Sequence, residues 1–406
     1  MTFAALSKHP FALRPRVVIV GGSIGGLSIA KFLTSTISAD ASKGPMPRIT
    51  VIEPRHGIMN PIAIPRSLVE PDFAKHTFAT LSSFPNDMID NVEYVRGKVV
   101  HMSASDVSVE FADDSADTAK IPFDYAVLAT GRHRQSYIMP PEPTKEEYIE
   151  VMNSYVNQIR NAQNIVIVGG GAVGIEIAGE IMYEYPDKNV TLLHSRATLP
   201  PEPVDAAVGE YIVDALVKLG VNLQLSTRAK SDTDGKVTTT DGREFKSDLT
   251  IWCNSRGKAA TGFLDQKTFI DSIDANTGAA KINDDMSLKG FPHIFAIGDV
   301  NDFPVIKTAG GAHHQANTAT QNLLRAMDIK RGTYTESDAP ASATMTPWGA
   351  HMALIIGQEL GVMELTGRGV VSGTPVLEHF GGDMHTSKMW SVVGIKTETP
   401  PKRHKL

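Results

Sequence analysis

Two clusters of glycine carry the most legible chemistry of this chain: Gly21-Gly-Ser-Ile-Gly-Gly26 and Gly169-Gly-Gly-Ala-Val-Gly174. Glycines at this spacing let a backbone curl tightly and approach a pyrophosphate. A helix that starts inside the cluster adds free N–H groups and the positive end of its dipole. Both clusters read as phosphate-binding turns. In the first, Gly21, Gly22, Gly25 and Gly26 carry the turn, and Ser23 stands where G-x-G-x-x-G has its middle glycine. That small hydroxyl narrows the approach but can donate a hydrogen bond. In the second, Gly169, Gly171 and Gly174 are intact, with Ala172 and Val173 before the last of them. Either turn alone is also compatible with plain strand–helix packing, so the polar residues beyond the turns decide.

Glu53 closes the next strand, Ile49-Thr-Val-Ile52, at the distance where an acid accepts hydrogen bonds from an adenosine ribose. Asp299 follows Gly298 at the end of Ile294-Phe-Ala-Ile297, where a carboxylate can hold the ribityl hydroxyls of a flavin. A helix beginning near Thr308 would aim its N-terminus at the isoalloxazine and stabilise negative charge there. These anchors assign FAD to the first turn. Beyond the second turn, Val190-Thr-Leu-Leu193 ends in His194-Ser195-Arg196 with no acid. Ser195 and Arg196 suit a 2′-phosphate better than a bare 2′-hydroxyl, unless Arg196 simply points to water. NADPH is therefore expected to serve at least as well as NADH.

The elements that position these residues are local as well. Val17-Val-Ile-Val20 and Ile165-Val-Ile-Val168 are short, fully apolar runs. Each leads into its glycine cluster, after which Leu27 to Thr34 and Ile175 to Tyr183 continue with helical apolar spacing. Tyr125-Ala-Val-Leu128 is another buried strand, ending in the small-residue turn Ala129-Thr130-Gly131. Arg134 to Pro143, rich in proline, reads as a crossing between domains, and Thr308 to Met327 as a helix. From about Ala339, strands alternate with glycine-rich turns such as Thr366-Gly-Arg-Gly369. The expected fold class is α/β: two Rossmann-like dinucleotide-binding domains, for FAD and NAD(P)H, with a small α+β C-terminal domain. The FAD-binding domain is expected to be discontinuous, over 14–135 and 275–335, with the NAD(P)H-binding domain at 136–274 and the C-terminal domain at 336–406.

At 406 residues and 42% hydrophobic content, the chain exceeds one comfortable core. A formal net charge of -6 gives no basic face for nucleic acid. The single cysteine, Cys253, excludes a disulfide, a Cys-rich metal site and a redox dithiol, and no metal is expected. No run approaches the ~20 apolar residues of a membrane helix, and the residues before Arg16 leave no room for a secretory signal. A cytoplasmic protein with at most peripheral membrane contact is expected. Its last residues, His404-Lys-Leu406, resemble a degenerate peroxisomal tripeptide, with a solvated basic tail as the other reading.

The order of these motifs is similar to that of the pyridine-nucleotide-disulfide-oxidoreductase superfamily. Phe73-Ala-Lys-His-Thr-Phe78, Glu184-Tyr-Pro-Asp-Lys188 with Val190 to Ser195, and Phe295-Ala-Ile-Gly-Asp299 narrow the match. They resemble the ferroptosis-suppressor, or AIF-like (AMID), branch of NAD(P)H:quinone oxidoreductases. The resemblance runs from about Arg16 to Trp390. It implies noncovalent FAD, hydride transfer from NAD(P)H to the flavin, and electron delivery to a quinone. It extends the expected FAD contacts to Pro54, Arg55 and Arg66, to Ala129, Thr130 and Gly131, and to Lys307, Thr308 and Ala309. His194 joins Ser195 and Arg196 on the nicotinamide side. Glu176 is implied to sit at the flavin–nicotinamide contact, where a glutamate that merely complements its helix dipole is the competing reading.

Departures from the family pattern matter too. His56 to Arg66 carries no cysteine pair, so dithiol reduction is excluded. Lys307-Thr-Ala-Gly-Gly-Ala-His-His-Gln315 keeps Thr308, Ala309, Ala312 and Gln315 of the quinone motif in the related type II NADH dehydrogenases, but has Gly310 and His314 where glutamines are usual. Lys307, His313 and His314 therefore join Glu176 as candidate catalytic residues. The imidazoles suit protonation of a reduced quinone near neutral pH, or a surface helix end. The family's second small-residue turn is degraded to Cys253-Asn-Ser255. Thr2, in place of glycine, removes the myristoyl anchor of some members. Membrane contact would then fall to Met384, Met389 and Trp390, which equally suit a core. An altered acceptor pocket leaves open a soluble redox partner, oxygen, a specialised metabolite, or a redox-sensing AIF-like effector role.

Overall fold

The computed structural model describes residues 14–112, 118–133, 144–253, 257–380 and 382–396. The proline-rich crossing at 134–143, Asn254-Ser255 and the C-terminal tripeptide lie outside them.

Arg16–Val20 and Asn164–Val168 each become the centre of a parallel sheet because their side chains are apolar on both faces. Around the first, five parallel strands run in the order Phe291–Ala296, Tyr125–Leu128, Arg16–Val20, Arg48–Glu53, Val92–Met102. Asp106–Phe111 and Thr118–Pro122 extend that sheet as an antiparallel meander, and Ser287–Leu288 pairs antiparallel at the other edge. Helices Ile24–Ala39 and Ala309–Lys330 pack together over it. The second sheet is wholly parallel: Asn222–Gln224, Asn189–Leu193, Asn164–Val168, Leu249–Trp252. Its helices include Ala172–Glu184 and Ala206–Lys218. A smaller antiparallel sheet, Ala229–Thr233, Lys236–Thr239 and Glu244–Lys246, follows in sequence. The chain then builds the antiparallel sheet Met352–Ile356, Leu360–Leu365, Gly369–Ser372 and two short helices, Thr374–Phe380 and Thr386–Val392. The α/β class with two dinucleotide-binding folds is the one expected.

The cores interleave more than linear boundaries express. Ala259, Leu264 and Phe269, placed by position in the second domain, pack in the core of the first sheet, because Ala259 and Leu264 bridge back to Arg132 and Met102. Conversely Ile64, Leu68, Ala74 and Phe78 pack with the second sheet. Met384, Met389 and Trp390 are buried, and the Trp390 indole N–H donates to the His76 carbonyl at 2.8 Å. They are core, and do not form a membrane-facing surface. Among the described residues no helix is long and apolar enough to cross a membrane, and no cluster of three or more His, Cys, Asp or Glu could hold a metal.

Candidate functional site: a cleft between two glycine turns

Each parallel sheet ends in its glycine turn, and both turns open on one cleft of about 1930 Å³. A pocket for one small ligand is typically about 300–1,000 Å³, so this cleft has room for more than one. In the first turn, Gly21 adopts φ +102° and its N–H donates to the Ile52 carbonyl at 2.9 Å. The N–H of Gly22 donates to Glu53 Oε2 at 3.0 Å. A Cβ on Gly26 would lie 1.9 Å from the Gly21 carbonyl oxygen, so this glycine lets the helix close onto the turn. The second turn repeats the geometry. Gly169 has φ +121° and donates to Leu193 at 2.9 Å. A Cβ on Gly174 would lie 1.9 Å from the Gly169 carbonyl oxygen. The acceptor for the N–H of Gly170 is His194 Nδ1, at 3.0 Å. Since Nδ1 accepts, it carries no proton and the ring is neutral.

Most expected site residues line this cleft. Gly21, Gly22, Ser23 and Gly25 do, with Glu53, Pro54, Arg55, Ala129, Thr130 and Gly131. Gly298, Asp299, Lys307, Thr308 and Ala309 line it from the same side. Gly169, Gly171, Ala172, Val173, Glu176, His194, Ser195 and Arg196 face them. Three expected residues do not reach it. Gly26 and Gly174 sit under their turns as packing positions. Arg66 is turned away: its Nε and Nη2 donate to Glu180 at 2.8 and 2.7 Å, and its Nη1 to the Gly382 carbonyl at 3.1 Å. This ion pair is buried at 3% and 0% side-chain exposure, so Arg66 ties the helix of the second turn to the C-terminal segment.

Around Asp299 a buried network sets the floor of the first cradle. Gln315 Oε1 accepts from the Gly298 N–H at 2.7 Å and from Asn301 Nδ2 at 2.8 Å. This glutamine, retained from the quinone motif, therefore holds the turn. Asn301 Oδ1 and the Phe303 carbonyl accept from Lys307 Nζ at 2.8 and 2.9 Å. Burial draws the Lys307 ammonium down to about 8, against the opposing pull of Asp299. Arg132 Nε donates to the Asp299 carbonyl at 3.0 Å. The Thr308 hydroxyl caps its helix by accepting from Gly311 N–H at 3.0 Å.

Glu176 is buried, and among the described residues accepts only a long 3.4 Å contact from the Ile355 N–H. Burial pushes its carboxyl up to about 8, with neighbouring Glu180 adding to the rise. It is thus mostly neutral at pH 7 and lies in the cleft lining, away from a role as an exposed dipole complement. His313 packs on Phe32, with centroids 4.9 Å apart, and its Nδ1 lies 2.9 Å from Ser28 Oγ. That hydroxyl donates to the Ile24 carbonyl at 2.7 Å, so His313 Nδ1–H is the donor to Ser28. His314 is exposed in the cleft, near Trp348. Cys253 also lines the cleft, but burial pushes its thiol up to about 12, which leaves it inert at neutral pH.

Several cleft residues had no sequence signal. At the outer end of the second cradle, Glu202 and Arg228 join Ser195 and Arg196. Arg196 Nη1 donates to the Pro201 carbonyl at 3.0 Å, and Glu202 Oε2 is buried with no hydrogen-bond partner among the described residues. At the other end, the C-terminal segment supplies Trp348, His351, His379, Phe380 and His385.

Two dinucleotide cradles on one cleft define a two-nucleotide oxidoreductase fold. The family model for pyridine nucleotide-disulphide oxidoreductases matches residues 15–316, and a ferroptosis suppressor protein 1 from Mus musculus is 31% identical over 327 residues, 77% of this chain and 80% of that protein. Apoptosis-inducing factor homolog A of Dictyostelium discoideum is 30% identical over 75% of each chain. The sulfide:quinone oxidoreductase of Aquifex aeolicus superposes with a TM-score of 0.70 at 17% identity, covering 93% of this chain and 91% of its own. The chain belongs to the pyridine nucleotide-disulphide oxidoreductase family, in its ferroptosis-suppressor and AIF-like branch. It is an oxidoreductase with FAD and NAD(P)H as cofactors. Its lone, inert cysteine separates it from the members for which the family is named.

Proposed function

We propose that the protein passes hydride from NADPH or NADH in the second cradle to FAD in the first, and from there to a quinone-type acceptor in the C-terminal arm of the cleft. The observation that carries this reading is the meeting of both glycine turns on one cleft whose lining includes Glu176 and Lys307. Bound FAD supplies the two-electron chemistry. The residues bind, orient and hold protons. The N–H groups that open Ile24–Ala39 and the Ser23 hydroxyl, which makes no cap hydrogen bond to that helix, receive a pyrophosphate, and Glu53 faces the ribose. Lys307, fixed by Asn301 and Phe303, brings positive charge beside Asp299, where it stabilises negative charge developing in the cleft. Glu176, neutral below about pH 8, offers a proton at the nicotinamide side. Trp348 and Phe380 give the acceptor arm flat aromatic walls, which suits a planar ring.

NADPH serves at least as well as NADH in this reading, because Ser195, Arg196 and Arg228 favour a 2′-phosphate; Glu202 is the opposing charge.

Anaerobic mixing of the yellow protein with NADPH or NADH, then with a water-soluble ubiquinone, tests the relay. Bleaching by NADPH at least as fast as by NADH, then rapid recovery with quinone, is expected. Bleaching without recovery removes the quinone and turns the search to oxygen or a soluble partner.

A further inference from the structure

Met384 and His385 are consecutive non-glycine residues in the left-handed region, at φ +52° and +62°. Such backbone is held only where surrounding contacts over-determine it, and it concentrates at functional sites. Here the contacts are explicit. Met384 is fully buried, Arg66 Nη1 grips the Gly382 carbonyl at 3.1 Å, and the Asp383 carboxylate accepts from the Ser387 N–H at 3.0 Å. The turn sets the imidazole of His385 into the cleft lining, stacked on His379 with centroids 4.9 Å apart and planes 27° apart.

His385 Nδ1 lies 3.1 Å from the His379 carbonyl oxygen, which also accepts from Lys388 Nζ at 2.7 Å. A carbonyl only accepts, so Nδ1 carries the proton and Nε2 is the bare nitrogen of the neutral ring. The groups around the pair are Lys388 and Asp383 on the turn and His351 across the arm. Burial, with Lys388 adding to it, holds His385 below the ordinary imidazole range, and burial with His385 itself does the same for His379. Both rings are therefore neutral at pH 7. Phe380 and Met389 give this part of the cleft apolar walls.

We propose that His385 Nε2 is a hydrogen-bond acceptor for a hydroxyl on an aromatic ring, which makes the C-terminal arm a subsite for the reduced, hydroquinone-class form of the acceptor. The site rests on the acceptor reading above, and adds the atom that recognises the product. Neutral imidazole takes the hydroxyl proton into a hydrogen bond, and a fully etherified ring finds no partner there.

The test is binding without turnover, using oxidised, FAD-loaded protein and no nicotinamide. The probes are hydroquinone monomethyl ether and hydroquinone dimethyl ether, followed by quenching of tryptophan fluorescence. The monoether is expected to bind roughly tenfold tighter at pH 7.5, as one net hydrogen bond to a half-buried acceptor allows. That preference should vanish below the imidazole range, where Nε2 is protonated. His385→Asn and His385→Gly both tolerate φ +62°. Each should keep its flavin and a melting temperature at or above that of the parent, and lose the preference. Equal affinity for the two ethers in the parent overturns the subsite, as does a preference that survives in both variants. Recovery with quinone in the mixing experiment, alongside equal affinities, overturns the subsite alone and leaves the acceptor reading standing.

Discussion

The two glycine turns share a backbone solution and differ in the side chain that locks it. In each, the strand-end residue accepts the N–H of the second glycine at 3.0 Å, from Gly22 to Glu53 and from Gly170 to His194. In each, a Cβ added to the glycine at the helix start would lie 1.9 Å from the carbonyl oxygen of the first glycine. The first lock is an anion and leaves a carboxylate facing the cradle. The second is a neutral imidazole, and the charged side chains lining the cleft beside it are Arg196, Arg228 and Glu202. A strand-end residue thus holds the turn whether it is acidic or neutral.

Breaking either turn gives the largest effects. In Gly26→Ala, the clash with Gly21 should yield protein with little bound flavin, read as absorbance per protein. Gly174→Ala should keep its flavin and slow its reduction by NADPH roughly ten- to a hundredfold, since overpacking against backbone costs roughly 1–3 kcal/mol and displaces the phosphate-facing amides. Next comes the brace behind the second turn. Glu180→Ala strands the buried Arg66 and should destabilise the protein by about 3–5 kcal/mol in denaturant titration, with the first turn unaffected.

Much of this was legible in the sequence because it is local. Strand, turn and helix occupy consecutive residues, and Glu53 and Asp299 follow their strands directly. What escaped depends on partners far along the chain. Arg66, which the resemblance placed among the flavin contacts, meets Glu180 across 114 positions, a partner that no local pattern announces. Gln315 looks like a free acceptor-site amide until Gly298 and Asn301 are seen donating to it. His194 lines the cleft as expected, but its hold on the Gly170 N–H through Nδ1 shows only in the fold. Glu202, Arg228 and His385 belong to no local pattern, and only the cleft unites them.

Smaller changes sharpen the comparison between the locks. His194→Glu copies the first lock into the second turn. It should raise the ratio of kcat/KM for NADH over NADPH by about tenfold or more, as a charge-assisted hydrogen bond to ribose replaces a neutral one. Glu176 gives a pH signature. Its carboxyl is raised from 4.5 to about 8, so between those values the unfolded chain releases a proton that the folded chain keeps, and stability falls as pH rises through that window. Glu176→Gln should flatten the slope, melting higher than the parent at pH 8 and no higher at pH 4.5. The smallest expected effect is Glu202→Gln, with NADPH gaining a few-fold over NADH through loss of a partly screened repulsion, on the order of 1 kcal/mol or less.

The most direct measurement of the central claim is the rate at which NADPH bleaches the flavin under anaerobic rapid mixing, in the parent and in Gly174→Ala at equal flavin content. Fast bleaching in the parent, slowed roughly ten- to a hundredfold in the variant, would establish two separate cradles working on one cleft. Full-speed bleaching in a variant whose second turn is broken, or a parent that binds no FAD, would contradict it.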